Sequence, residues 1–228
     1  MPEPRRYEEP IGDPKLGFES ARDLEAISDH IERHWGKVEE VFHEIVSEYV
    51  HIDIHLVRAT AERPYHFLLT SGMSDRPMLV PEGEEERGYA ELLLALPATW
   101  PVDHASFRDE RNYWPFRQLK QAARFPHVYK TWLWYAHTFS NGDPPEPYAP
   151  DVSFCASILS IPALCDQEAW QLEISPEKRI HFLSLIPIYE EELRFARSTG
   201  SNALFDRLDD IDITELVFKN RKNVCKPT

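Results

Sequence analysis

A chain of 228 residues and 26.6 kDa allows one large domain or two small ones, and its 42% hydrophobic content supports a core that needs neither disulfides nor metal to hold it. Lys and Arg number 25 against 39 Asp and Glu, a formal charge of −14 that disfavours nucleic acid and anionic membranes as partners and favours a basic protein. Cys155, Cys165 and Cys225 show no CxxC spacing, and the start MPEPRRYEEP carries charge and proline in place of an apolar leader, so a cytoplasmic protein without disulfide or Cys-zinc framework is expected.

Residues 1–19, with Pro2, Pro4, Pro10 and Pro14 among charges, read as an extended arm. Ser20 can cap a helix with Asp23 three residues on; Leu24, Ile27 and Ile31 form its apolar stripe and Gly36 stops it. VHIDIHLV at 50–57 alternates as a strand, with Val50, Ile52, Ile54 and Leu56 on one side and His51, Asp53 and His55 on the other. YHFLLTSG at 65–72 and AELLLALPA at 90–98 follow as strands, the second apolar enough to be central, with the acidic run Glu82, Glu84, Glu85 and Glu86 between them. A helix is predicted over 114–125, with Pro115 in its first turn, Phe116, Leu119 and Ala123 on one face and Pro126 interrupting it.

LWYAHTF at 133–139 reads as a strand and NGDPPEPYAP at 141–150 as a proline-stiffened loop. FCASILSI at 154–161, WQLEI at 170–174 and RIHFLSLI at 179–186 are strands, the last two paired antiparallel through the turn SPEK at 175–178. Tyr189, Leu193 and Ala196 mark a helix with Glu190, Glu191 and Glu192 at its amino end and Gly200 at its close. Ser201 or Asn202 can cap a second helix bearing Leu204, Phe205 and Leu208; ITELVF at 213–218 is placed as an edge strand, and the basic tail 219–228 as frayed. Runs of strands interrupted by helices, without βαβ alternation, give one α+β domain over 20–218 with a mainly antiparallel mixed sheet flanked by helices.

Three constellations could carry chemistry. His51, Asp53 and His55 share a strand face and suggest a metal-dependent hydrolase, with His137 or Asp75 as further ligands. Strand rise nevertheless separates the two histidines by about 13 Å, so a polar face on which Asp53 orients a histidine is preferred. In SGMSDRPM at 71–78, Ser74 and Asp75 lack a G-x-S-x-G elbow for acyl transfer. Asp75 and Arg76 fit either a local charge pair or a binding loop, while Met73 and Met78 suit the core. Among the aromatics of 132–148, core packing is the default, although Trp134 and Tyr148 beside Pro144, Pro145 and Pro147 could form an exposed peptide-binding rim. The acids at 82–86, and Asp206, Asp209, Asp210 and Asp212, would matter only against a basic partner.

HIDIHLV at 51–57, RPYHFLLTSGMSDRPM at 63–78, YAELLLALPATWP at 89–101, ARFPHVYKTWLWYAHTFSNG at 123–142 and LSLIPIYEEELRFARSTG at 183–200 together resemble the suppressor-of-fused family, with TSGMSDRPM followed by YAELLLALP the most specific part. The resemblance implies a suppressor-of-fused-like α+β domain whose role is protein binding, with no catalytic residues, metal or cofactor. Animal relatives restrain a zinc-finger transcription factor of Hedgehog signalling by holding a peptide as an added strand. Similar bacterial chains accompany polymorphic toxin systems, and without the second domain of the animal clamp this chain is expected to follow them, as an immunity protein that neutralises a cognate toxin. Ser71, Gly72, Met73, Ser74, Asp75 and Arg76 with Glu82, Glu84, Glu85 and Glu86 are the expected contact region, joined by Trp134 and Tyr148. A regulator that sequesters a partner by strand addition is the alternative.

Overall fold

Apolar alternation along the strands decides which side of the sheet each helix covers. The computed structural model describes residues 21–43 and 50–226, so the proline-rich arm and Ser20 lie outside it. In chain order the elements are α1 (Ala21–His34), β1 (Val38–Phe42), β2 (Asp53–Val57), β3 (Tyr65–Ser71), β4 (Tyr89–Pro97), α2 (Glu110–Tyr129), β5 (Thr138–Ser140), β6 (Phe154–Ser160), β7 (Gln171–Ser175), β8 (Lys178–Tyr189), α3 (Glu190–Thr199) and α4 (Ser201–Asp209). They build one mixed sheet in the order β1-β2-β3-β4-β8-β6-β5, with β7 also paired to β8. Every pairing among these strands is antiparallel except β4 with β8. This is the expected α+β architecture.

One face of the sheet carries Ile54, Leu56, Leu68, Leu92, Leu94 and Leu185 against Trp114, Phe116, Leu119 and Ala123 of α2. The other carries Val57, Phe67, Leu69, Leu93 and Phe182 against Ile27, Ile31 and Trp35 from α1 and the turn after it. On that same face, farther along β6 and β8, Ile158, Ile186 and Ile188 receive Leu193 and Leu204 from α3 and α4. Because β4 is covered on both sides, its near-continuous apolar run is what a central strand requires.

Several local expectations need correction. Leu24 does not join the buried stripe of Ile27 and Ile31: it stays 38% exposed. β1 was not anticipated, since VEEVF places two acids among three apolar residues and its alternation is weak. Pro126 does not interrupt α2, which starts at Glu110 on an Asp109 cap and runs to Tyr129 with both Pro115 and Pro126 inside it. The Pro126 carbonyl instead accepts the N–H groups of Lys130 and Thr131, where Lys130 turns left-handed and ends the helix. The aromatic stretch at 133–139 pairs as a strand only from Thr138, because residues 135 and 136 form a turn with Ala136 at φ 67. Gly200, not Ser201 or Asn202, occupies the cap position of α4, and the Ser201 hydroxyl donates to the Ala136 carbonyl.

The carboxyl-terminal segment departs most from expectation. Beyond Leu93 and Ser184 the β4–β8 register ends, and residues 215–217 come alongside the remainder of β4 instead of an outer edge. The Ala95 N–H donates to the Glu215 carbonyl at 3.0 Å, and the Val217 N–H donates to the Ala95 carbonyl at 2.9 Å. Glu215 is buried, and its carboxylate accepts the N–H groups of Ala163 and Leu164. Nor is the basic tail frayed at Arg221, whose guanidinium forms a buried ion pair with Glu192 at 2.5 Å and donates to the Pro187 carbonyl. Among the described residues no helix is long and apolar enough to cross a membrane.

Candidate functional site

The β3–β4 connection contains most of the residues singled out in the sequence, and it divides into two unlike halves. Ser71, Gly72, Met73 and Ser74 are buried and present no side chain to a partner, which corrects the expectation that they form a contact surface; Asp75 and Arg76 are only partly covered. Gly72 sits at φ 99, and a Cβ there would lie 1.9 Å from the His51 carbonyl oxygen, so the turn can pass beneath His51 only as glycine. The Ser74 hydroxyl and backbone N–H both donate to Glu91 Oε1, at 2.6 and 2.9 Å, while the Thr70 hydroxyl donates to Oε2 at 2.6 Å. His127 Nε2 donates to the Met73 carbonyl at 2.9 Å and clamps the turn from α2.

Glu91 is the residue the sequence reading missed. Fully buried in β4, it is the common acceptor for Thr70 and Ser74, and burial pushes its carboxyl up to about 7 against the pull of those donors. The available signal was a lone acid in an otherwise apolar central strand, which must find donors. They come from the TSGMS segment. The Ser74 hydroxyl is therefore committed to a structural carboxylate and is closed to solvent, an arrangement with no nucleophile to offer.

Downstream the chain turns outward. Met78 is buried and its N–H donates to the Gly88 carbonyl at 2.7 Å, but Leu79 stands 66% exposed. Glu82, Glu85 and Glu86 are exposed, whereas Glu84 is half-buried and paired to Arg87 at 2.5 Å. Backbone donation from Gly83 holds Glu85 below the usual glutamate range. The Arg87 guanidinium also lies 5.2 Å from the Trp134 ring centroid, and Trp134 meets the His181 ring edge-on at 4.7 Å. Trp134 is thus a half-buried neighbour of the acidic ridge. Tyr148 is not on a rim at all: it is 1% exposed, stacks on Trp114 at 5.4 Å and shares a 3.1 Å hydrogen bond with Ser157 Oγ. Burial raises its phenol pKa. Proline richness stiffened the loop around Tyr148 but did not expose it.

Of the strand histidines, His51 lies 3.1 Å from Asp53 Oδ1, and His43, outside the motif, lies 2.8 Å from Oδ2. His55 instead pairs with Ser71 Oγ at 2.9 Å. Among the described residues no three His, Cys, Asp or Glu side chains converge as metal ligands, and His137 contacts the Trp132 ring. The thiols are poor nucleophiles: burial pushes Cys155 up to about 11 and Cys165 up to about 12.

The family model described as "Suppressor of fused protein (SUFU)" matches residues 48–222. A curated relative, uncharacterized protein UU111 of Ureaplasma parvum serovar 3, is 24% identical over 209 residues, covering 91% of this chain and 98% of its own. Among solved structures, a suppressor-of-fused homologue from Neisseria gonorrhoeae FA 1090 superposes with a TM-score of 0.64 at 18% identity, over 90% of this chain and 97% of that one. A chain of the Sufu–Fu complex gives 0.59 at 13% identity, over 88% and 91% respectively. Drosophila Suppressor of Fused also gives 0.59, at 11% identity, with 96% of this chain covering 52% of that protein.

Proposed function

The chain belongs to the suppressor-of-fused family, and from that premise we propose that it is a non-enzymatic protein-binding domain that neutralises a basic protein partner by occlusion. The observation that carries this reading is the outer half of the β3–β4 connection, where Glu82, Glu85 and Glu86 stand exposed beside the bared Leu79. An exposed apolar side chain on the same connection as three exposed carboxylates suits a partner surface that pairs an apolar socket with Lys and Arg. The formal charge of −14 adds long-range attraction toward such a partner. A toxin domain is the partner class that the bacterial resemblance implies, and covering its working surface would suffice to silence it. Asp75, Arg76, Glu84 and Trp134 border this contact region, and the buried Ser71, Gly72, Met73 and Ser74 anchor the connection that carries it, whereas Tyr148 packs elsewhere, on Trp114 and Ser157.

Co-expression with the toxin gene nearest its own, and capture of the toxin product by the purified protein, tests this reading. Rescue of growth that is lost in the Glu82→Lys/Glu85→Lys/Glu86→Lys variant supports it. Absence of both rescue and capture overturns the toxin assignment. A second reading, capture of an extended peptide by strand addition, is favoured by β5: among the described strands none pairs with its outer side, so three residues of backbone are available there.

A further inference from the structure

A separate cleft of about 350 Å³ lies between α1 and the first two strands, lined by Leu24, Glu25, Ser28, Asp29, Val41, His43 and His55. On α1, Leu24 and Ser28, and likewise Glu25 and Asp29, are four residues apart and so neighbour each other along one side of the helix. Across from them Val41 pairs with His55 in the β1–β2 register, which puts both side chains on the same face. No described cation forms an ion pair with Glu25 or Asp29.

The floor of this cleft is unfinished. His55 is 2% exposed; its Nε2 bonds Ser71 Oγ, but its Nδ1 has no hydrogen-bond partner. Burial pushes His55 down to about 4, so at neutral pH the ring is uncharged and one nitrogen is an acceptor. If Nε2–H donates to Ser71, that acceptor is Nδ1. Beside it, His43 Nδ1 lies 2.8 Å from Asp53 Oδ2, which fixes the orientation of that ring. The lining therefore offers the unpartnered His55 Nδ1, two carboxylates and a hydroxyl, interleaved with the aliphatic Leu24 and Val41, and it contains no lysine or arginine.

Such a lining asks for a ligand that donates several hydrogen bonds, carries positive charge and has an apolar stem. A metal ion is the poorer match, because these acceptors are spread around the cleft and no three of them converge. A guanidinium spreads five N–H donors over a plane and fits dispersed acceptors. We propose that the α1–β2 cleft is a binding site for an alkylguanidinium group, its stem against Leu24 and Val41, its charge against Glu25 and Asp29, and one N–H directed to His55 Nδ1. The group could arrive as a free small molecule or as an arginine side chain of another protein. The site stands independently of the acidic ridge, from which it shares no residue.

The test is a titration of the full chain with n-butylguanidinium, read from the imidazole resonances of His55 and His43, with n-butylurea as the neutral isostere and zinc alone as the metal control. The expected result is saturable movement of the His55 signals with n-butylguanidinium, weakened about fivefold in Glu25→Gln/Asp29→Asn, two exposed positions whose change leaves the fold intact. The blocked tripeptide Ac-Ala-Arg-Ala-NH2 distinguishes the sources: saturation at the same resonances assigns a protein arginine, and saturation by n-butylguanidinium alone assigns a free ligand. Unmoved His55 signals overturn the proposal. So would equal binding of n-butylurea, an unchanged affinity in the double variant, or movement with zinc only. Since Glu82, Glu85 and Glu86 are untouched, these outcomes leave the occlusion reading to its own test.

Discussion

The two halves of the β3–β4 connection have similar polar compositions and opposite fates. Ser71–Ser74 turn inward because Glu91, His55 and His127 wait there with complementary groups, whereas Leu79, Glu82, Glu85 and Glu86 turn outward because, past the Met78 backbone bond to Gly88, little draws their side chains in. A serine-, glycine- and aspartate-rich segment at the end of a strand is thus not by itself a surface. What decides is whether the neighbouring strand carries a buried group that needs its donors.

Substitutions can break each half separately, and the inward half should respond most. Gly72→Ala forces a Cβ into the His51 carbonyl at a left-handed position, and chemical denaturation should show a loss of about 3 kcal/mol or more. An unchanged midpoint would mean that the turn is not held under His51.

Glu91 gives the next largest effect, and it depends on pH. Its folded pKa of about 7 lies above the usual glutamate value of 4.5, so its contribution is fully present below about pH 4.5 and is lost as pH rises through about 7. That is a loss on the order of 3 kcal/mol for a fully buried group. His55 works in the opposite sense: its folded pKa of about 4 lies below 6.5, so its contribution is present above pH 6.5 and fades as pH falls through about 4. The difference in stability between wild type and Glu91→Gln, measured from pH 4.5 to 8, isolates the first slope. A difference that stays flat across that range refutes the assignment.

Smaller effects follow. Tyr148→Phe removes a buried hydroxyl from Ser157 and should cost about 1 kcal/mol without altering partner binding; a loss of binding with stability intact would return Tyr148 to the interface. On the outward half, Glu82→Lys, Glu85→Lys and Glu86→Lys should each leave the denaturation midpoint nearly unchanged, while partner capture weakens and its salt dependence changes.

What the sequence made legible was periodic. The strands expected at 65–72, 90–98 and 154–161, the hairpin through 175–178, and the part of 50–57 from Asp53 onward are visible because alternation and apolar runs follow directly from burial on one or both faces. Pro126 misled because a proline near a helix end, buried against the core, loses little when its own carbonyl still serves the cap. The position of 215–217 beside β4 could not be read locally, since it depends on where β8 leaves β4. In the candidate site the acids at 82–86 were legible as a charge run. The burial of Tyr148 was not, because stacking on Trp114 is a contact between distant segments.

The lodging of 215–217 against β4 also sets an order of events. A nascent chain that has emerged only as far as α4 leaves the amide and carbonyl of Ala95 without strand partners on that side, so these two hydrogen bonds form only once residues 215–217 have left the ribosome. Pulse-labelled hydrogen exchange during refolding would find Ala95 and Val217 acquiring protection together and late, and carboxyl-terminal fragments supplied in trans would compete for that same slot.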